Sequence, residues 1–314
     1  MRCSLCGSVC YLQTCRFFDT STHVTSSPSS SVVCQQDCMR VGPKLRQLVA
    51  DIDACSSSPE ALQKLKQLQF LPRRAVEAEV SETVQCIERV LQQATSGSVR
   101  NMPCCLFTIS KVAQAHPPLL RALQSDAYKA TMSGMFKACA ADGGLYRRAV
   151  AVSQLCSAQY NLEMYCEEFW HNVSEKYIAA WDAQAASNVV YSYGKLHSVN
   201  AAPDASAGLR QLLRATVSHH ARELAPKGVA NVAWAFAKQE IHFGDALLPL
   251  QEAASHTATE MSAQNVANSL WALATLSLDL GVAREPLMHA IVRVADTMSA
   301  QEVANSLWAL ATLV

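Results

Sequence analysis

The chain has 314 residues, 50% hydrophobic and 17% charged, which is enough apolar material for a packed core and excludes wholesale disorder. Its 26 basic and 26 acidic residues cancel, so it is no histone-like polycation, and any nucleic-acid contact must come from a local stripe of charge. Glycine and proline are scarce at 11 each, too few for the frequent turns of a many-stranded sandwich or barrel, and the alanine and leucine content points to helices.

Residues 1–45 are a different material. They hold six cysteines and the run Ser26-Ser27-Pro28-Ser29-Ser30-Ser31, with Asp19 and Asp37 as the only acids. A serine-rich, acid-poor, mildly basic leader has the composition of an organellar transit peptide, with a plain disordered tail as the other reading. Cys3 and Cys6, and Cys34 and Cys38, are each spaced to bite one zinc ion, with His23 between them. Cys10 and Cys15 fit no such pairing and the segment lacks apolar residues for a zinc module's core, so no metal site is expected. The thirteen cysteines are odd in number and none follows Cys166, which favours reduced thiols over a disulfide framework. Residues 46–75 read as a helical lead-in. The most apolar run, Val266 to Ala283, is interrupted by Asn268, Ser269, Thr275 and Asp279, so no membrane span is expected.

From residue 76 to 314 the sequence repeats itself. Residues 261–276 read MSAQNVANSLWALATL and residues 298–313 read MSAQEVANSLWALATL, differing only at Asn265 and Glu302. Trp234, Trp271 and Trp308 follow one another at intervals of 37 residues. Weaker copies put Tyr191, Val150 and Phe107 in the tryptophan column, with spacings up to 43 residues. Ser262 and Ser299 are N-caps, and Ser299 with Glu302 spells a capping box. The helix that follows is apolar nearly all round and therefore buried on several sides. The segment before it is amphipathic, with Leu287, Ala290, Ile291 and Val294 on one face. Each unit is thus predicted to be a helical hairpin, and the fold an all-α solenoid of about six stacked hairpins with 37–43-residue repeats. Asn188, Asn231, Asn268 and Asn305 fall inside the buried helix, where each is predicted to bond backbone in the adjacent turn or repeat, since an unpartnered buried amide costs about 1–3 kcal/mol.

The recurring V-A-N-S-L-W-A-L-A-x-L string resembles the octotricopeptide repeat family over about 240 residues, most closely in the last three units. It is also similar to the helical-repeat region of FAST-kinase-like and RAP-domain proteins. The resemblance implies an organellar RNA-binding protein, in mitochondrion or chloroplast, that acts on transcript processing, stability or translation without catalysis. RNA and other RNA-processing proteins are the implied partners; no DNA is expected. The sequence stops directly after an inner helix without a capping helix or a RAP-like domain, which reads as an array truncated at its C-terminus.

Helical-repeat RNA readers address bases with side chains projecting from the same place in each unit. Here that column is Gln184, Lys227, Gln264 with Asn265, and Gln301 with Glu302, at the helix starts. Arg222 is the nearest basic neighbour, and Arg210, Arg214, Lys238, Arg147-Arg148 and Arg73-Arg74 are further phosphate candidates. Asn188, Asn231, Asn268, Asn305, Trp234, Trp271 and Trp308 are the structural signature of the repeat. No phosphate loop, dinucleotide fingerprint or zinc-protease motif occurs. His219-His220 face different ways, Cys104-Cys105 read as core, and Glu167-Glu168 as a solvated patch. No catalytic residue and no cofactor is expected. The alternative reading is a scaffold for protein partners.

Overall fold

The computed structural model describes residues 43–52, 54, 55 and 58–313. The leader reading and the cysteine spacings at 3–6 and 34–38 lie outside the described residues, although 43–45, assigned to the leader, are helical. Every element among the described residues is helical. In chain order they are α1 (43–52), α2 (Ser58–Leu65), α3 (Arg73–Ala78), α4 (Val80–Ser96), α5 (Met102–Ala115), α6 (Pro117–Leu123), α7 (Asp126–Ala141) and α8 (Ala149–Asn161). There follow α9 (Glu167–Asn172), α10 (Ala183–Ser198), α11 (Ala207–His220), α12 (Pro226–Lys238), α13 (Leu247–Thr257), α14 (Ala263–Thr275), α15 (Arg284–Val294) and α16 (Ala300–Leu313). Short 3-10 turns link many of them.

Local chemistry sets where the inner helices start. Ser262 Oγ accepts from Asn265 N at 3.3 Å, and Asp182 Oδ1 accepts from Ala185 N at 2.7 Å. Proline opens α12, where its missing N–H costs nothing. Ahead of α16 the capping box forms: Ser299 N donates to Glu302 Oε2 at 2.7 Å, and Glu302 N donates to Ser299 Oγ at 3.4 Å.

The helix ends share a device too. Glu163, Asn200, Glu240 and Ser277 follow α8, α10, α12 and α14 with φ between 52° and 57°. The next residue's N–H reaches back five positions, as in Ile241 N to Phe236 O at 3.0 Å and Leu278 N to Leu273 O at 2.9 Å. This left-handed turn with its long return bond satisfies carbonyls that a helix end would otherwise leave open.

Packing sorts the helices into two rows. α5, α8, α10, α12, α14 and α16 pack in that order, each against the next, and form the inner row. α11, α13 and α15 pack one on another as an outer row. Leu287, Ala290 and Val294 are the buried face of α15, while His289, Arg293 and Asp296 are exposed. Polar ties join neighbouring hairpins: Arg293 Nη2 donates to Ala258 O and Met261 O at 2.9 and 2.7 Å, and Gln251 Nε2 to Asp279 O at 2.7 Å. Between α10 and α12 the approach is closest at Gly194, where a Cβ would lie 2.7 Å from that of Ala235.

One assignment changes. Val150 is the second residue of α8 and 68% exposed, so it occupies the register of Gln184 rather than that of Tyr191. The ring it was expected to match comes instead from Tyr160, which meets Tyr191 edge-on at 5.8 Å. Phe107 is half-buried on α5. No described helix is long and apolar enough to cross a membrane.

Candidate nucleic-acid interface

Four inner helices share one register. Gln184, Lys227, Gln264 and Gln301 are the second residues of α10, α12, α14 and α16. Asn188, Asn231, Asn268 and Asn305 are the sixth, Tyr191 and the three tryptophans the ninth, and Lys195, Lys238, Thr275 and Thr312 the thirteenth. Steps of four, three and four residues keep all of these on one stripe of each helix. None of the stripe is fully covered except Trp234, at 7% exposure.

The inner row carries charge of one sign. Among α5, α8, α10, α12 and α14 there is no aspartate or glutamate, while Lys111, Lys195, Lys227 and Lys238 lie on them. The acids sit in the outer helices, the connecting turns and the N-terminal helices, with Glu302 of α16 as the exception. Glu302 is occupied, because its carboxylate accepts from both the Ser299 N–H and hydroxyl. A chain with zero net charge thus keeps its acids off five helices of one row, which leaves that row's four lysines unopposed there.

The lysines are held against rings. Lys195 Nζ lies 5.2 Å from the centroid of Trp234, and Lys238 Nζ 5.9 Å from Trp234 and 4.9 Å from Trp271. Lys111 Nζ is 5.9 Å from Phe107. The ring faces attract the ammonium groups and limit their wandering. The rings also touch: Tyr191 meets Trp234 at 5.4 Å, extending the contact from Tyr160. Burial, and after it the Lys227 ammonium, hold Lys111 below the ordinary lysine value. α5 and α12 are separated in the packing order by α8 and α10, so the row brings cations of non-adjacent helices within electrostatic reach.

The asparagines do not behave as a backbone tie. Asn188 Nδ2 donates to Ser153 Oγ of α8 at 2.5 Å, and its Oδ1 accepts from Gln184 Nε2 at 3.1 Å. This links repeats through side chains. Asn231, Asn268 and Asn305 are half-buried and their side-chain amides bond to no other described residue, so they stay open at the row's surface. Gln264 and Lys227 are exposed, and Asn265 is half-buried in the first turn of α14, its backbone N–H donating to the capping Ser262. Arg222 is exposed in the turn that leads into α12.

Most other basic candidates are spent elsewhere. Arg210 Nε donates to Ala205 O at 2.9 Å and Arg214 Nε to His242 O at 2.8 Å, both from the outer helix α11. Arg148 pairs with Asp142 and Arg73 with Glu77. Sequence reasoning missed Lys111 and Lys195; counting charge helix by helix, rather than over the chain, finds them.

Nothing among the described residues groups three potential metal ligands. His220 is buried with Nε2 3.0 Å from Ile178 O, while His219 is exposed; their rings nevertheless touch edge to face at 4.7 Å. Cys105 is fully buried and its thiol pushed up to about 12 by burial, so it is packing material rather than a nucleophile. Glu168 pairs with Lys137 at 2.7 Å. In comparison with known proteins, no family model matches the chain and no curated protein matches it, so what the inner row can do rests on its own chemistry.

Proposed function

We propose that the two rows form an α-solenoid whose inner-row surface binds single-stranded RNA without catalysis. The observation that carries this reading is the segregation of charge: four lysines and no acid on five successive inner helices of a neutral protein. A polyanion is the ligand such a surface attracts, and its binding weakens with salt as counterions return. Open amides at the same register supply hydrogen bonds to base edges, which an unpaired strand exposes and a duplex hides. The octotricopeptide-like string supports RNA as the polyanion, and with the acid-poor leader supports organellar transcripts as its source. Processing, stabilisation or translation of those transcripts is the role this reading gives the chain.

The test is a fluorescence-anisotropy titration of the full chain with a labelled, unpaired RNA of random sequence at two salt concentrations. Lys227→Glu with Lys238→Glu is expected to lower affinity at least about tenfold at the lower salt. Lys129→Glu on α7, outside the inner row, should change it less than about twofold. Equal losses from both variants would remove the inner row as the binding face.

A second reading, a scaffold for protein partners, is favoured by α16. Val303, Leu307 and Trp308 are exposed there at 39%, 62% and 48%.

A further inference from the structure

The stripe on the inner row changes character along its length. At the thirteenth helical position α10 and α12 carry Lys195 and Lys238, whose ammonium groups lie over Trp234 and Trp271. At the same position α14 and α16 carry Thr275 and Thr312, whose hydroxyls donate to Trp271 O and Trp308 O of their own helices at 2.8 Å. Those threonines have satisfied donors and no charge, so they offer a phosphate little. At the second position α12 alone of these four helices carries a cation, Lys227, while α10, α14 and α16 carry Gln184, Gln264 and Gln301. From α14 onward the stripe presents amides and ring surface: Gln264, Asn268 and the half-buried Trp271, then Asn305 and the exposed Trp308. The side-chain amides of Gln264 and Asn268 bond to no other described residue.

We infer that the inner row divides its labour along the array, α10 and α12 gripping the sugar-phosphate backbone of an RNA strand and α14 to α16 reading its unstacked bases. This rests on the RNA reading above and assigns each part of the surface a different chemistry. Ammonium groups recognise phosphates regardless of sequence. Neutral amides discriminate between donor and acceptor edges, and an open indole face stacks a base. The charged half positions the strand; the neutral half gives it sequence preference.

Two paired variants of the full chain separate the halves. Binding is measured against unpaired twelve-residue oligomers of U, A and C over a series of salt concentrations, with a melting curve to confirm that each variant is folded. Lys195→Gln with Lys238→Gln is expected to weaken all three oligomers by the same factor. It should flatten the dependence of log affinity on log salt by about 1.4, from about 0.7 per phosphate contact. Gln264→Ala with Asn268→Ala should leave the salt slope unchanged and shrink the ratio between the best and worst oligomer at least about fivefold. The division is overturned if the wild type binds all three oligomers equally, if the lysine pair alters their ranking, or if the amide pair weakens all three equally or not at all. Each of these outcomes leaves RNA binding standing. Failure of the wild type to bind any RNA overturns the RNA reading itself and this inference with it.

Discussion

Replacing Leu270 with alanine is expected to destabilise the protein by about 3 kcal/mol, whereas the same change at Leu307 should cost less than about 0.5 kcal/mol. The two leucines sit in the identical string VANSLWALATL, at the same register of α14 and α16. Leu270 is 0% exposed, closed in between α12 and α16; Leu307 is 62% exposed. Removing the first side chain takes apolar area out of a closed interface and leaves a cavity between three helices. Removing the second changes little that water does not already touch. Val266 and Val303, at 0% and 39%, show the same contrast. Denaturant melts of the two variants measure it directly, and similar costs at the two sites would contradict the row order.

A glycine pair gives the second large effect. Gly194→Ala is expected to cost about 2 kcal/mol, although alanine favours helix over glycine by about 1 kcal/mol. The added methyl would lie 2.7 Å from Ala235 Cβ and 2.8 Å from its Cα. Neither atom is the end of a flexible side chain, so the contact is relieved only if α10 and α12 move apart. Gly134→Ala in α7 meets nothing within 4 Å and should stabilise by about 0.5–1 kcal/mol. Opposite signs for one chemical change at two helical glycines would show that helix–helix approach, not propensity, governs Gly194. Thermal melts of the two variants read the sign.

The repeat register was the most legible feature of the sequence. Three tryptophans at equal spacing located α12, α14 and α16, and the serine caps located two of their starts. Legibility fell where one dominant side chain was missing. α8 has no ring in the tryptophan column, and Val150 was matched by its place in the string when its place in the helix is about two turns earlier. The helix ends were not legible either. Glu163, Asn200, Glu240 and Ser277 adopt left-handed φ with no glycine to signal it, so the backbone is set by the return bond and by the packing of the residue that follows.

The exposed stripe of the inner row was half legible for a different reason. A column at the helix starts can be read from aligned copies, and Lys227 and Gln264 were found in this way. At the far end of the stripe Lys238 was named only as one of several scattered cations and Lys195 escaped, because that position becomes threonine in the two clearest copies, which drew attention to what repeats rather than to what is lost. The asparagines looked buried because their string is apolar, yet an inner helix keeps one open stripe, and the sixth position falls on it. Balanced charge over the whole chain concealed a sorting by row that only the packing order reveals.

RNA is proposed to lie along the inner row. Ultraviolet crosslinking of the full chain to an unpaired, uridine-rich RNA, followed by mass spectrometry of the crosslinked peptides, tests it most directly. Crosslinks are expected in α10, α12 and α14, at or beside Tyr191, Lys238 and Trp271, with α11, α13 and α15 clean. Crosslinks concentrated on those outer helices, or none on the inner row while RNA is bound, would contradict it.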